Sequence, residues 1–200
     1  DASDRGGSAR GKFDQAGNYE FGLMIGNSNG QKPEINKYKK YYGTLFAKPV
    51  KGLQMEVYGD YEPAADDKNK TTLRGFVGYT YEKFNFGAEV FQQTQKNAGG
   101  KDIDAVPFGI SGFIWGNLLG RENIPILNVF ARYDMYNPDT KNDSTGYKES
   151  FINVGLDYMP IDNIHFMPNV WVNSYSAKNS SATERKADVV ARMSFFFVFK

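Results

Sequence analysis

Residues 189–199 read V-V-A-R-M-S-F-F-F-V-F, and their alternation restricts the possible fold more than any other part of the chain. Successive side chains of a strand point to opposite faces, so Phe195, Phe197 and Phe199 share one face while Arg192 and Ser194 share the other. A soluble sheet would have to cover such an aromatic face with a core. In a transmembrane β-barrel the same face meets lipid and the interfacial aromatic girdle, and the alternate residues face a polar lumen.

The same period of two recurs along the chain. In L-Q-M-E-V-Y-G-D-Y, Leu53, Met55, Val57 and Gly59 lie on one face against Gln54, Glu56, Tyr58 and Asp60. Leu73, Gly75, Val77, Tyr79 and Tyr81 repeat the pattern against Thr72, Arg74, Phe76 and Thr80. Phe84, Phe86, Ala88 and Val90 do so against Asn85, Glu89 and Phe91. No stripe at helical spacing competes.

Composition agrees with this. Thirteen Tyr, 16 Phe and 21 Gly favour β structure, and a mean hydropathy of −0.55 fits a wall that is polar on one side with charged loops beyond it. No apolar run approaches the roughly 18 residues that a membrane helix needs. A net charge of +1 gives no bulk attraction for nucleic acid. The chain has no cysteine, which excludes a disulfide framework and thiolate metal sites.

Eleven strands are expected, near 4–14, 17–29, 37–48, 52–62, 70–81, 84–95, 104–116, 124–136, 147–159, 163–176 and 185–199. Short links (D-Q-A-G-N, P-V-K-G, E-K, G-N-L-L-G-R-E, P-I-D-N) alternate with longer ones (N-G-Q-K-P-E-I-N, P-A-A-D-D-K-N-K, K-N-A-G-G-K-D, N-P-D-T-K-N-D-S-T-G, A-K-N-S-S-A-T). Outer-membrane barrels have this arrangement of short periplasmic turns and long extracellular loops. The expected fold is therefore all-β, an antiparallel transmembrane β-barrel with about 10–11 strands in this chain. If the final strand ends in the periplasm, counting back starts the first strand on the outer side. Because bacterial barrels have an even strand number, 1–200 is expected to be a single barrel domain incomplete at its N-terminus. It would be the C-terminal part of a barrel of about 14–18 strands, with upstream strands as its missing partner. If 1–14 is no strand, the expectation becomes a ten-strand barrel.

The segments F-A-R-Y-D-M-Y-N-P-D-T and F-I-N-V-G-L-D-Y-M-P-I-D-N-I-H-F-M-P-N-V-W resemble the C-terminal strands of bacterial outer-membrane porins of the phosphate-selective O and P type. R-G-K-F and E-F-G-L-M-I-G-N-S-N-G are similar to inner segments of those porins. The resemblance implies passive diffusion of small hydrophilic solutes through a water-filled barrel in the outer membrane of a Gram-negative bacterium, commonly as a trimer. Phosphate selectivity in that family depends on a dense lysine and arginine ladder, and the expected lumen face here carries none.

The expected pore-lining set is Glu20, Glu56, Asp60, Arg74, Glu89, Arg132, Asp134, Asp157, Asp188 and Arg192. Seven of these ten are acidic, which points to a weak cation preference unless other strands balance them. Glu56, Arg74 and Glu89 fall on consecutive strands and can pair across the wall. The expected membrane girdle is Tyr81, Phe84 and Tyr158 near the periplasmic turns, with Phe195, Phe197 and Phe199. Lipid and lipopolysaccharide are the expected partners outside, the latter through Lys39, Lys40, Tyr41 and Tyr42.

No enzyme, metal or cofactor is expected. His165 is the only histidine, and neither Ser174 nor Ser194 sits in a nucleophile motif. Asp139, Asn142 and Asp143 offer calcium-type oxygens but lack EF-hand spacing and read as a solvated turn. The rival to an open pore is a plugged scaffold barrel that binds envelope partner proteins.

Overall fold

The computed structural model describes residues 4–28, 30, 32–33, 36–121, 124–143, 146–161, 163–180 and 182–197. The described residues form strands and links, with no helix. The strands are β1 (Gly6–Lys12), β2 (Tyr19–Gly26), β3 (Lys40–Ala47), β4 (Leu53–Pro63), β5 (Asn69–Tyr81), β6 (Phe84–Gly100), β7 (Ile103–Ala105), β8 (Phe108–Arg121), β9 (Ile124–Asn137), β10 (Tyr147–Ile161), β11 (Ile164–Ala177) and β12 (Asp188–Phe197). Eleven of them follow chain order in one antiparallel sheet, and the three-residue β7 pairs off this path with β6.

Two stretches expected as links are strand. K-N-A-G-G-K-D contains the end of β6 and a turn back into β7, because Asn97, Gly100 and Asp102 adopt the positive φ that a reversal needs (58°, 126° and 62°). Gly116–Arg121 continues β8 instead of turning. A Cβ on Gly116 would meet the Phe84 ring at 2.0 Å, so that ring occupies the space a side chain would fill and covers the glycine within the sheet.

The chain divides into two compact units. Unit 1 comprises Asp1–Val77, Glu89–Phe108 and Pro138–Asp143, and unit 2 comprises Gly78–Ala88, Gly109–Asn137 and Ser144–Lys200. In unit 1 the register places Glu20 opposite Phe46 and Phe46 opposite Glu56, with Tyr42 opposite Asp60. Directly paired residues share a face, so these form one polar surface. On the other face Phe21, Leu45 and Val57 align, as do Ile25, Tyr41 and Tyr61. In unit 2 Arg132, Asn153 and Trp171 align on one face, and Tyr133, Ile152, Val172 and Val189 on the other.

Burial is inverted relative to a soluble domain. Among the described residues Val106 is the one buried hydrophobic, whereas Val57, Leu73 and Val189 are more than half exposed on the apolar face. Apart from Pro107 and glycines, the other buried residues are polar: Asn27, Asp60, Asn97, Asn128, Asn137 and Asp157. Normal domains bury Val and Leu and expose Asp and Asn.

Candidate functional site

The polar face carries the groups able to act on a solute, and alternation along each strand puts them there. In unit 1 the Arg74 guanidinium on β5 bridges Glu56 Oε1 at 2.7 Å and Glu89 Oε2 at 3.3 Å, and lies 5.2 Å from the centre of the Tyr58 ring. Thr44 donates its hydroxyl to Glu56 at 3.0 Å. Tyr58 donates to Asp60 Oδ2 at 2.7 Å. Lys40 Nζ stands 3.5 Å from the same oxygen and 3.4 Å from Glu62. Glu20 is opposite Lys12 across β1 and β2.

In unit 2 Arg132 Nε donates to both oxygens of Asp134, at 2.9 and 2.8 Å. A second chain of contacts is more deeply buried. Asn117 Nδ2 donates to Asn128 Oδ1 at 3.1 Å, Asn128 Nδ2 donates to Asp157 Oδ2 at 3.2 Å, and Asp157 Oδ1 meets His165 Nδ1 at 2.8 Å. Asn128 is 1% exposed and Asp157 5%, so each needs these partners to offset lost hydration. Tyr175 donates to Asp188 Oδ2 at 2.6 Å, with Arg185 3.6 Å from that oxygen. Arg192 stacks over Trp171 at 5.0 Å.

All ten expected pore-lining residues lie within these strands, Glu20, Glu56, Asp60, Arg74 and Glu89 in unit 1 and Arg132, Asp134, Asp157, Asp188 and Arg192 in unit 2. Six of the acids have a basic side chain within ion-pair distance. Arg74 serves Glu56 and Glu89, Lys40 serves Asp60, Arg132 serves Asp134, His165 serves Asp157 and Arg185 serves Asp188. Lys40 and Arg185, which lie outside that set, reduce its acidic excess without cancelling it. Sequence alternation already places Tyr58 on the face of Glu56 and Asp60, whereas Asn128 and Trp171 join the polar face without having been singled out from sequence. Alternation along β3 places Lys40 and Tyr42 with Asp60 on the polar face and Tyr41 with Tyr61 on the other, so the run expected as one lipopolysaccharide patch is divided between the faces.

The expected girdle residues Tyr158 and Phe195 align through Phe166 on the apolar face, and Phe197 is opposite Ile164. Tyr79 and Tyr81 stack at 6.5 Å between ring centres, and Phe84 and Phe86 at 6.4 Å. Phe199 lies outside the described residues.

No protein-family model matches the chain, and no curated protein sequence matches it. A solved structure does: the crystal structure of Pseudomonas aeruginosa OpdK with vanillate aligns at a TM-score of 0.63 and 16% identity, covering 95% of this chain and 54% of that one. OpdK is an outer-membrane porin of the OprD family. The fold is that of a porin-like β-barrel. The chain spans about half the length of the OpdK chain. At this identity the likeness concerns the fold, and it does not extend to the narrower phosphate-selective O and P type.

Proposed function

We propose that the chain forms wall of an outer-membrane porin, through which small hydrophilic solutes diffuse passively down their gradients. The observation that carries this reading is the inversion of burial. Ion-paired carboxylates, guanidiniums and amides occupy one face, and large apolar side chains stand exposed on the other. Charged side chains keep their hydration at a water-filled lumen, and exposed Val, Leu and Phe lose nothing by contacting hydrocarbon. Transport of this kind involves no catalytic step. Selectivity rests on pore width and on whichever wall charges lack a compensating partner. Lipid and lipopolysaccharide are the partners of the apolar face, and the location is the outer membrane of a Gram-negative bacterium.

Reconstitution into planar bilayers tests the proposal. Folded protein should insert in discrete current steps whose amplitude grows with electrolyte concentration. Repeated fusion of folded protein without any conductance would exclude an open pore and favour a plugged scaffold barrel.

A further inference from the structure

Lys40 opens β3 at the end that joins the long link from β2, and its ammonium group stands among acceptors. Nζ lies 3.5 Å from Asp60 Oδ2, 3.4 Å from Glu62 Oε2 and 5.0 Å from the centre of the Tyr42 ring. The neighbouring hydroxyl protons are already committed, since Tyr58 donates to Asp60 at 2.7 Å and Tyr42 donates to Asp4 at 2.6 Å. Two carboxylates and an aromatic face complement a group with three N–H donors and no acceptor, which describes a primary ammonium.

Two features show that the lysine does not saturate this cage. Both N–O separations exceed the roughly 2.7–2.9 Å of a charge-assisted hydrogen bond, so the ammonium is held by charge more than by directed bonds. The second feature is Asp60 Oδ1. Its side chain is 5% exposed, and this oxygen is buried without a hydrogen-bond partner. A desolvated carboxylate oxygen is a strong acceptor left unused. Lys70 approaches only Glu62, at 3.9 Å, and its side chain is half exposed.

We propose that Asp60, Glu62 and the Tyr42 ring form a binding site for small cations bearing a primary ammonium group, with Lys40 as a displaceable built-in occupant. An entering ammonium takes the place of the Lys40 head group between Glu62 Oε2 and Asp60 Oδ2 while the flexible lysine stem moves into water. A tethered competitor acts at an effective concentration in the millimolar range, so the native site binds free ammonium weakly. Removing the lysine charge exposes the full affinity of the cage. The role of this site in transport rests on the porin reading, whereas its binding chemistry does not.

The test uses the full chain folded in detergent micelles and titrated calorimetrically with n-butylammonium chloride. Lys40→Gln is expected to bind at least about tenfold more tightly than the unsubstituted protein, because the tethered competitor is gone. Lys40→Gln combined with Asp60→Asn should lose that gain, and tetrabutylammonium, which has no N–H, should show little of it. Equal affinity of Lys40→Gln and the unsubstituted protein would overturn the proposal. Glu62→Gln, which retains the lysine, supplies an independent variant: it should weaken butylammonium binding, and unchanged binding would count against the cage. In bilayers Lys40→Gln should move the reversal potential in a potassium chloride gradient toward potassium, and an unmoved potential in open channels opposes the assignment. Absence of channels from every variant would count against the porin reading alone, with the calorimetric comparison still deciding the cage.

Discussion

Arg74 shows how a single side chain holds part of the polar face. It pairs with Glu56 and Glu89 from adjacent strands and rests on Tyr58, and all three charged side chains are about one-third exposed. Arg74→Met retains much of the stem but leaves two carboxylates facing each other without a cation. The expected loss is about 1–3 kcal/mol, seen as a lower urea midpoint in micelles, with partial recovery when Glu56→Gln and Glu89→Gln are added. A different residue-scale effect belongs to Asp14, in the link between β1 and β2. Its carboxylate accepts the Tyr19 amide at 2.9 Å, and that hydrogen bond holds its pKa below the ordinary 3.8. A group with a depressed folded pKa contributes stability above its unfolded value and loses it as pH falls through the folded value. Asp14→Asn should therefore be less stable than the parent well above pH 3.8 and approach it well below that pH, a convergence measurable by unfolding at both extremes.

Among the elements, β10 carries the sharpest steric constraint. A Cβ on Gly155 would lie 2.4 Å from the Phe130 ring, 2.7 Å from Asn169 Cβ and 2.8 Å from the Pro168 carbonyl oxygen, so β9 and β11 both close on it. Gly155→Ala forces a backbone shift and should cost about 1–3 kcal/mol in the same unfolding assay. Strand alternation was legible in the sequence because a period of two is written into every residue. Leu53 to Asp60 and Phe84 to Val90 carry it without interruption. Pairing partners were less so. The β10–β11 register shifts between Tyr158 and Ile161, and no local pattern announces which His165 contact results. The short β7 was hidden because glycine and asparagine mark both an open loop and a tight hairpin. Lys40 was misread because two lysines followed by two tyrosines look like a patch, although alternation sends Tyr41 and Tyr42 to opposite faces.

For the whole molecule, the two faces make opposite predictions for one substitution. Val154 lies on the apolar face in register with Ala131 and Val170, and its neighbour Asn153 lies on the polar face with Arg132 and Trp171. Val154→Arg should destabilise the protein folded in phospholipid bilayers by about 2–4 kcal/mol if that face meets the hydrocarbon midplane. Asn153→Arg should leave much more of the stability intact. Equal losses from the two would remove the basis for assigning lipid to one face. The OpdK likeness covers nearly all of this chain and about half of that one, and no family model or curated sequence matches, so the recognisable information lies in architecture more than in sequence. That follows from the physics of such a wall, where any apolar residue satisfies the lipid face and many polar pairs satisfy the other.

The burial of Asn128 and Asp157 beside the exposure of Val57 and Leu73 has a calorimetric consequence. The heat capacity of a soluble domain rises on melting because hidden hydrocarbon becomes wetted. If lipid or detergent covers the apolar face, much of the hydrocarbon surface is shielded from water before melting begins. A chain that unfolds while still coated by micelle should therefore give a shallow, weakly curved stability profile, and its melting temperature should follow the detergent tail length more closely than any interior substitution.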